Sequence, residues 1–436
     1  MYAFTRRRSS VVAATATLVF TAAVAAVPPA DASALAGPPE VVPRAETAAL
    51  FDDDEGGNAN ADDPAIWRNS ADPDASLVIA TAKEGGLRVY DLDARQVQSV
   101  PAPAAPGADD APGRYNNVDL VHGMPLRSGA TDLAVVSDRG SDKLRVYRVD
   151  GDRPHAPLTD VTDASAPWIF SGSQEEVNEE STAYGLATYT DSATGKSYAL
   201  VSQNATTRIA LLELTPTRGG KVSYRKVRTL DLPAAFTMPD GTKWSPCGEP
   251  GEGPQVEGMV VDPETGTLFA GQEDVGVWRL PADLKGRPVL QDRVREYGVP
   301  ATYDEASDEC VAGDGPGFGG SHVSADVEGL TLLKQDDGDG YLLTSSQGDD
   351  TFVAYDRERS DGYEYEGGFR VSAASESLDG SEECDGADVL AEPLGSRYPN
   401  GLLVVQDGHM APEDSDREAT GFKFVDLADV LEALDD

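Results

Sequence analysis

A drifted repeat of β-hairpins constrains the fold of this chain more than any other feature. Six times, an apolar strand is followed by a polar turn and a second strand that tends to end in an aromatic residue or leucine plus aspartate. The hairpins start near residues 77, 133, 197, 267, 340 and 401, at intervals of about 55 to 75 residues. Such intervals match propeller blades of four short strands with variable insertions. The pattern predicts an all-β protein, a six-bladed β-propeller with four-stranded antiparallel blades around a central channel.

A short apolar segment precedes each hairpin and is bounded by turn residues, as expected for the innermost strand of a blade. The segments are DDPAIW, NNVDLV, STAYGLATY, VEGMVVD, VEGLTLL and DGADVL. Each has a polar residue near its start, and these residues are Asp63, Asp119, Tyr184, Glu257, Glu328 and Asp388. Because inner strands surround one axis, we expect matching positions on the six blades to converge at one end of the channel.

The N-terminus has the three-part layout of a secretory signal. Arg6, Arg7 and Arg8 precede an apolar run from Val11 to Val27, and small residues follow. We expect residues 1–32 to be a signal peptide that directs export rather than anchoring, so that the mature protein is secreted and extracellular. Residues 33–45 are predicted to be a flexible tail and residues 46–436 a single propeller domain. A strand within VVPRAETAAL could complete the last blade, and LADVLEALDD predicts a C-terminal helix.

The formal net charge of −41 excludes two classes of partner. So acidic a surface repels nucleic acid and anionic lipid headgroups, so we expect neither nucleic-acid binding nor stable membrane association. The 40% hydrophobic content argues for a packed core rather than an acidic disordered chain. A fold that tolerates this many clustered carboxylates is expected to bind counter-cations.

Oxygen ligands gather near the starts of the predicted inner strands. The stretches are Asp62 with Asp63, Glu257, Glu273 with Asp274, Asp326 with Glu328, and Asp379 to Asp388. Any one of these acids has a simpler interpretation as a solvated turn residue. Together, at matching blade positions, they favour calcium, which takes six to eight oxygen ligands. Lys83 and Arg139 lie in the first two hairpin turns and are either isolated surface cations or groups that bind a polyanion such as phosphate.

Cysteine content and missing motifs limit the other chemistries. Cys247 and Cys310 both lie in Gly/Pro/acid-rich insertions that precede similar strands, and we favour a disulfide between them, with Cys384 left over. The sequence has no zinc-type Cys or His spacing, no GxSxG elbow, no P-loop and no dinucleotide fingerprint.

Eight ordered motifs across residues 50 to 430 resemble the β-propeller phytases. They are ADDPAIW, NNVDL, TAYGL, VEGM, QEDVGVW, DVEGLT, YLLTSSQG and DGADVL…YPNGLLVVQDG. The resemblance implies several calcium ions, some structural and some catalytic, and removal of phosphate from myo-inositol hexakisphosphate (phytate).

The resemblance also implies roles for individual residues. The residues that would hold the active-site calcium ions are Asp62, Glu257, Asp326 and Glu328. Tyr184, Glu273, Gln347 and Asp385 would lie nearby. Lys83 and Arg139 would contact phosphate, and Asp379 would hold a structural calcium. Separately from the resemblance, Asp63 follows Asp62 in an extended strand and so points differently, and we expect it to brace the ring or hold a second ion. The chain departs from the family pattern at Val121, Glu84 and Asn204, where relatives are often basic. Fewer cations should weaken the binding of a highly phosphorylated substrate.

The expected activity is metal-assisted hydrolysis of phosphomonoesters by a monomeric enzyme of the 3-phytase type. Calcium ions would offset the phosphate charge and hold the attacking water, and phytate would arrive as its calcium complex. Ionised carboxylates imply a neutral to alkaline optimum. Two alternatives remain open: a calcium-dependent propeller lactonase, for which Lys83 and Arg139 would be dispensable, and a non-catalytic, calcium-stabilised extracellular binding propeller.

Overall fold

The computed structural model describes residues 37–52, 56–127, 129–307, 309–335, 338–357, 362–411 and 417–435. The predicted signal peptide, residues 1–32, lies outside these ranges. Among the described residues, no helix is long and apolar enough to cross a membrane.

Six four-stranded antiparallel sheets form the blades, which confirms the predicted six-bladed propeller. Blades 1 to 3 are each built from four consecutive strands, which follow one another along the chain from the innermost outward. In blade 1 they are Pro64–Trp67, Leu77–Thr81, Leu87–Tyr90 and Gln96–Val100. In blade 2 they are Tyr115–Leu126, Gly129–Asp138, Lys143–Val149 and Leu158–Asp160. In blade 3 they are Ala183–Asp191, Lys196–Gln203, Arg208–Pro216 and Val222–Asp231.

Blades 4 to 6 follow the same order, except that the N-terminal segment contributes to the last two. Blade 4 comprises Val256–Asp262, Thr267–Gln272, Gly276–Pro281 and Val289–Arg293. Blade 5 comprises Val327–Lys334, Gly340–Ser346, Thr351–Asp356 and Tyr365–Val371, with Glu40–Val41 added in parallel at its edge. Blade 6 comprises Ala387–Leu390, Leu402–Met410 and Ala419–Asp426, with Ala45–Glu46 as its outermost strand.

The N-terminal segment closes the ring, as the sequence predicted. Ala45–Glu46 pairs antiparallel with Ala419–Asp426, so a strand from the N-terminal segment and the last strand of the chain share one sheet. Closure of this kind covers a sheet edge that would otherwise be free to pair with another chain. Glu40–Val41 is also paired, and Val41 is buried, so the ordered sheet begins earlier than the expected boundary at residue 46.

The core lies between neighbouring blades. The second strand of blade 1, Leu77–Thr81, is buried along its whole length because a blade packs against each of its faces. The innermost strand of the same blade, Pro64–Trp67, is buried in the same way. Because they are buried on both faces, the inner strands fix the positions of the residues at the mouth of the channel.

In the part of the chain that the structure describes, the elements outside the blades are short. Two small hairpins precede the inner strands of blades 4 and 5, and each belongs to an insertion that carries a cysteine. The predicted disulfide between Cys247 and Cys310 is present, with a Cα–Cα distance of 6.1 Å, and Cys384 is free and buried. The strands of the small hairpins are Phe236–Thr237, Lys243–Trp244, Ala301–Asp304 and Glu309–Ala312. Among the described residues, α-helices span Gln174–Val177 and Leu427–Asp435, and 3₁₀ turns span Pro73–Ala75, Arg139–Ser141 and Gln347–Asp349.

Candidate active site

Each blade places one polar side chain at the mouth of the channel, and in blades 2 to 5 a β-bulge positions it. In blades 2 to 5 the register between the inner strand and the second strand shifts near the start of the inner strand. The first unpaired residue of the inner strand at each shift carries a functional side chain. In blades 1 and 6 the equivalent residue lies two positions before the first paired residue. A bulge re-aims a side chain that a regular strand would direct elsewhere. The six residues, called the mouth ring below, are Asp62, Asn116, Tyr184, Glu257, Glu328 and Asp385.

Glycines behind the mouth ring let the inner strands approach one another. A Cβ atom on Gly258 would lie 1.4 Å from the backbone oxygen of Glu328, and one on Gly185 would lie 2.0 Å from that of Glu257. Only a residue without a side chain fits between backbones this close. The close approach is what crowds the mouth-ring side chains together.

A second set of side chains comes from the turns that follow the second strand of each blade. Lys83, Arg139, Glu273 and Gln347 occupy these turns in blades 1, 2, 4 and 5. The ammonium group of Lys83 lies 3.2 Å from Asp62 Oδ2 and 3.3 Å from Asp385 Oδ2. Lys83 is thus the cation that offsets the charge on the blade 1 and blade 6 side of the ring.

Three buried glutamates form the centre of the site. Glu257, Glu273 and Glu328 each present a carboxylate oxygen, and these three oxygens lie within 4.8 Å of one another. The phenol of Tyr184 donates to Glu257 Oε2 at 2.7 Å, and the amide of Asn116 donates to Glu257 Oε1 at 2.6 Å. These two donors fix the orientation of Glu257.

Amide side chains orient the remaining carboxylates. Gln347 Nε2 donates to Glu328 Oε2 at 2.9 Å and to Asp385 Oδ1 at 3.0 Å. Gln255 Nε2 donates to Glu273 Oε2 at 3.0 Å. Glu273 Oε1 and Asp62 Oδ1 are buried without a hydrogen-bond partner among the described residues. Two carboxylate oxygens therefore remain available to a ligand.

Burial raises the pKa values of the carboxyl groups in the cluster and so disfavours their full ionisation. Desolvation, reinforced by the neighbouring acids, raises the pKa of Glu257 to about 8 and holds the pKa values of Glu273 and Glu328 well above the usual range. Desolvation also raises the pKa of Asp62 to about 6, although Lys83 opposes the rise. Buried, mutually repelling carboxylates with unpartnered oxygens are the donor set that a hard divalent cation binds. The residues present fit such an ion.

Asp326 lies beside the mouth ring rather than in it. It is half-buried, and its backbone oxygen accepts a hydrogen bond from the amide of Gln347 at 3.0 Å. Burial and the charges of Glu296 and Asp385 raise the pKa of Asp326. Burial and the charge of Asp326 raise the pKa of Asp274 to about 7. Asp326 and Asp274 therefore extend the acidic site towards the insertion before blade 5.

Asp63, Asp119 and Asp388 do not converge with the mouth ring, contrary to the expectation from matching positions. Asp63 Oδ2 accepts a hydrogen bond from the amide of Val118 at 2.9 Å, Asp119 Oδ2 from that of Thr188 at 2.6 Å, and Asp388 Oδ2 from that of Ile66 at 2.7 Å. Each carboxylate thus joins its inner strand to the inner strand of the next blade. The three links run in order from blade 6 through blades 1 and 2 to blade 3.

Asp379 lies away from the mouth ring and contacts a buried lysine. Lys423 is fully buried, and its ammonium group contacts the carboxylates of Asp379, Glu46 at 2.5 Å and Asp407 at 3.1 Å. The predicted role of Asp379 as a calcium ligand remains a prediction. In the structure, the lysine supplies positive charge at this position.

Sequence reasoning missed three residues that the structure brings to the site: Asn116, Gln255 and Arg114. Arg114 forms an ion pair with Glu84, and its charge opposes the rise in the pKa of Asp62 that burial causes. Arg139 places its guanidinium carbon 5.5 Å from the centroid of the Tyr184 ring. Asn116 and Arg114 lie within or next to the NNVDL motif, so the motif could have indicated them. Nothing in the pattern distinguishes Gln255 from other loop residues.

The comparisons with known proteins agree with this architecture. The family model described as Phytase matches residues 8–238 and 251–436. The 3-phytase of Bacillus subtilis (strain 168) is 33% identical over 354 residues, which cover 81% of this chain and 75% of the relative. The solved structure of the periplasmic gluconolactonase PpgL of Pseudomonas aeruginosa overlaps with a TM-score of 0.37 at 15% identity, over 68% of this chain and 67% of the other. That overlap is too weak to support an argument.

The fold and site define a six-bladed propeller with a buried acidic centre flanked by cations. The family match spans nearly the whole chain and includes every blade. The chain belongs to the phytase family, and it is a hydrolase of phosphate esters.

Proposed function

We propose that this protein is an exported, calcium-dependent phytase of the 3-phytase type that acts as a monomer on the calcium complex of phytate. The observation that carries the proposal is the buried cluster of Glu257, Glu273 and Glu328 directly beside Lys83 and Arg139. Acidic groups suited to a divalent cation and basic groups suited to an oxyanion thus share one channel mouth. A phosphate ester bound with calcium satisfies both.

The donor set favours calcium over smaller divalent ions. The candidate ligands are carboxylates on turns and bulges, with side-chain amides among them, and calcium accepts such numerous and irregular oxygen ligands. When bound, calcium supplies positive charge against the phosphate and activates a water for in-line attack. Asp62, Glu257, Asp326 and Glu328 are the proposed ligands nearest the reaction, with Glu273, Gln347 and Asp385 around them.

The protein's own residues position the phosphate. Lys83 is held between Asp62 and Asp385 and can direct its third N–H towards a phosphate oxygen. Arg139 forms only a long ion pair, with 4.0 Å between its Nη2 and Glu180 Oε2. Its guanidinium therefore offers a planar pair of hydrogen-bond donors to phosphate. Tyr184 lies between Arg139 and Glu257 and keeps the carboxylate in place. Burial raises the pKa of Glu257 to about 8, so any proton that Glu257 carries must be released before it binds a cation.

Phosphate release from phytate, measured with calcium and with EGTA, tests the proposal. We expect release with calcium and its loss with EGTA, and we expect Glu257→Gln to lower kcat/KM by ~100-fold or more, as removal of one strong electrostatic contributor does. Glu213→Gln is the matched control because Glu213 is a well-buried glutamate paired with Arg225 and Lys196 on blade 3. If no phosphate is released in the presence of calcium, the non-catalytic binding propeller is favoured. If the protein hydrolyses lactones and Lys83→Ala leaves that activity unchanged, the lactonase is favoured. Sequencing the N-terminus of protein recovered from the medium tests export.

A further inference from the structure

We propose that Gln255 is a positioning residue for the buried acidic centre and that the disulfide between Cys247 and Cys310 keeps it in position. This role rests on the proposed function, because it concerns how the chain orients its own carboxylates towards a divalent cation. It connects the centre of the site to two insertions outside the six blades. Gln255 itself is not one of the proposed calcium ligands.

The side-chain amide of Gln255 joins two parts of the site. Its Nε2 donates to Glu273 Oε2 at 3.0 Å and to the phenol oxygen of Tyr184 at 3.3 Å. An amide NH2 group has two N–H bonds, so one side chain can make both donations. Tyr184 gives its own proton to Glu257 and can accept from Gln255 at the same time. Gln255 therefore contacts Glu273 directly and acts on Glu257 through Tyr184.

The donation to Glu273 occupies one carboxylate oxygen and leaves the other available. Oε2 accepts from Gln255, whereas Oε1 is buried without a hydrogen-bond partner among the described residues. A carboxylate oxygen of Glu273 also lies within 4.8 Å of oxygens from Glu257 and Glu328. Hydrogen bonds of this kind orient metal ligands, and their loss weakens metal binding by about 10- to 100-fold. Loss of the Gln255 donor should therefore weaken the binding of a cation by Glu273.

Gln255 is fixed between the turns of two blades. Its Oε1 accepts from the amide of Ala205 at 2.9 Å, in the turn after the second strand of blade 3. Its backbone oxygen accepts from the amide of Glu273 at 3.2 Å, in the equivalent turn of blade 4. The amide of Gly253 also donates to the backbone oxygen of Ala205 at 2.9 Å. The position of the Nε2 donor thus depends on the backbone that leads to Gln255.

That backbone belongs to an insertion. The blade 4 insertion, residues 232–255, ends at Gln255, and the disulfide joins it to the blade 5 insertion, residues 294–326. The short stretch GEPGEGP separates Cys247 from Gln255. Because its glycines give this stretch high backbone freedom, a crosslink at its start restricts where its end can lie. The disulfide is therefore placed to hold Gln255 against Glu273.

Calorimetric titration of the EGTA-treated full chain with calcium chloride tests the role of Gln255. Glu273→Gln first identifies the class of calcium sites that depends on Glu273. We expect Gln255→Met, which keeps the length of the side chain but removes the amide, to weaken that class by at least ~10-fold. Gln98→Met is the matched control, because Gln98 exchanges hydrogen bonds of 2.8 and 3.2 Å with the backbone of Leu158 on the next blade. The control should leave calcium affinity unchanged.

The Tm of the EGTA-treated variants separates a positioning role from a purely structural one. If Gln255 only stabilised the fold, Gln255→Met would lower the Tm in EGTA and leave the calcium affinity of the folded protein unchanged. That result would overturn the inference. Calcium binding that Glu273→Gln does not alter would overturn it as well.

A double-mutant cycle tests the part played by the disulfide. We expect Cys247→Ala with Cys310→Ala to weaken the same class of sites by about threefold or more, with no further effect once Gln255→Met is present. The effect should be smaller than that of Gln255→Met because Trp244 also joins the two insertions, with its Nε1 2.8 Å from the backbone oxygen of Val299. Independent effects of the two changes, or wild-type calcium affinity without the disulfide, would contradict the proposed link.

Phosphate release from phytate by the wild type in calcium keeps this inference distinct from the proposed function. If phytate is not hydrolysed but Gln255→Met weakens calcium binding, the proposed function fails and the positioning role stands. If phytate is hydrolysed while Gln255→Met binds calcium as the wild type does, the positioning role fails and the proposed function stands.

Discussion

Lys83 is the residue on which the proposed phosphate binding at the mouth ring most depends. Its ammonium group lies between Asp62 and Asp385, and their charges, with that of Glu257, raise its pKa even though burial opposes the rise. Lys83 is therefore a permanent cation at the mouth ring. It also occupies a left-handed backbone position, with φ at 43°, which directs the chain into a tight turn after the second strand.

Substitution of Lys83 tests its role in phosphate binding. We expect Lys83→Met to lower kcat/KM for phytate by ~10- to 100-fold, since it removes a charge-assisted contact to phosphate. Lys285→Met is the control, because Lys285 is an exposed lysine that pairs with Asp283 at 2.9 Å on blade 4. A Lys83→Met variant with wild-type kcat/KM would contradict a phosphate-binding role.

At the residue scale, the sequence predicted which acids lie near the channel mouth better than it predicted where each side chain points. Asp62, Glu257, Glu328 and Asp385 all reach the mouth ring. Asp63 does not, because successive side chains in extended backbone point in opposite directions. Asp62 points into the channel mouth, so Asp63 is directed at the next strand. The bulges add a residue that no alternating pattern reveals, so the register of these acids could not be predicted from their spacing.

At the scale of elements, the packing of inner strands against one another depends on glycine. We expect Gly258→Ala to destabilise the protein by about 1–3 kcal/mol, as overpacking does, and to lower calcium-dependent activity by moving Glu328. Gly248→Ala is the matched control, because a Cβ on Gly248 would contact nothing within 4 Å. Chemical denaturation measures the first effect and phosphate release the second, and equal results for the two variants would contradict the close approach of blades 4 and 5.

The ring closure depends on a second element-scale feature, the buried lysine of blade 6. Lys423 joins Glu46 of the N-terminal strand to Asp379 and Asp407. We expect Lys423→Met to destabilise the protein by about 3–5 kcal/mol, because it leaves the buried carboxylate of Asp407 without its cation. Lys196→Met, at a half-exposed lysine on blade 3, should have a small effect. Similar denaturation midpoints for the two variants would show that the closure does not need Lys423.

At the scale of the whole molecule, the repeat in the sequence was sufficient to predict the fold. Hairpin spacing gave the number of blades, and the apolar segments before the hairpins gave the inner strands. The parallel strand Glu40–Val41 was missed, because two residues carry too little pattern to be distinguished from a tail. The Lys423 contacts were missed because they join residues 46, 379, 407 and 423, which are distant in sequence.

The mouth ring should make the stability of the metal-free protein depend on pH. Burial raises the pKa of Asp62 to about 6 and that of Glu257 to about 8, so the folded protein holds protons that the unfolded chain has already released above about pH 4. Stability then falls as the pH rises through the folded-state pKa values. We expect the Tm of EGTA-treated protein to fall from about pH 5 to about pH 8, with a loss on the order of a few kcal/mol.

Calcium should oppose this loss, because the ion binds the deprotonated carboxylates and its affinity rises with pH. Glu257→Gln should flatten the slope of the EGTA-treated protein between about pH 6 and pH 8, since it removes one of the shifted groups. A Tm that rises with pH in EGTA would contradict the proposed origin of the dependence.

The most direct test of the central claim, that the buried carboxylates bind the calcium required for phosphate release, is one calcium titration with two readouts. EGTA-treated protein is returned to increasing free calcium at a fixed pH near neutral, and phosphate release from phytate and Tm are measured at each concentration. We predict no release before calcium is added, with activity and Tm rising together in the wild type, and a weakened response of both in Glu257→Gln but not in Glu213→Gln. Full phosphate release in EGTA, or an identical response of Glu257→Gln and the wild type, would contradict the claim.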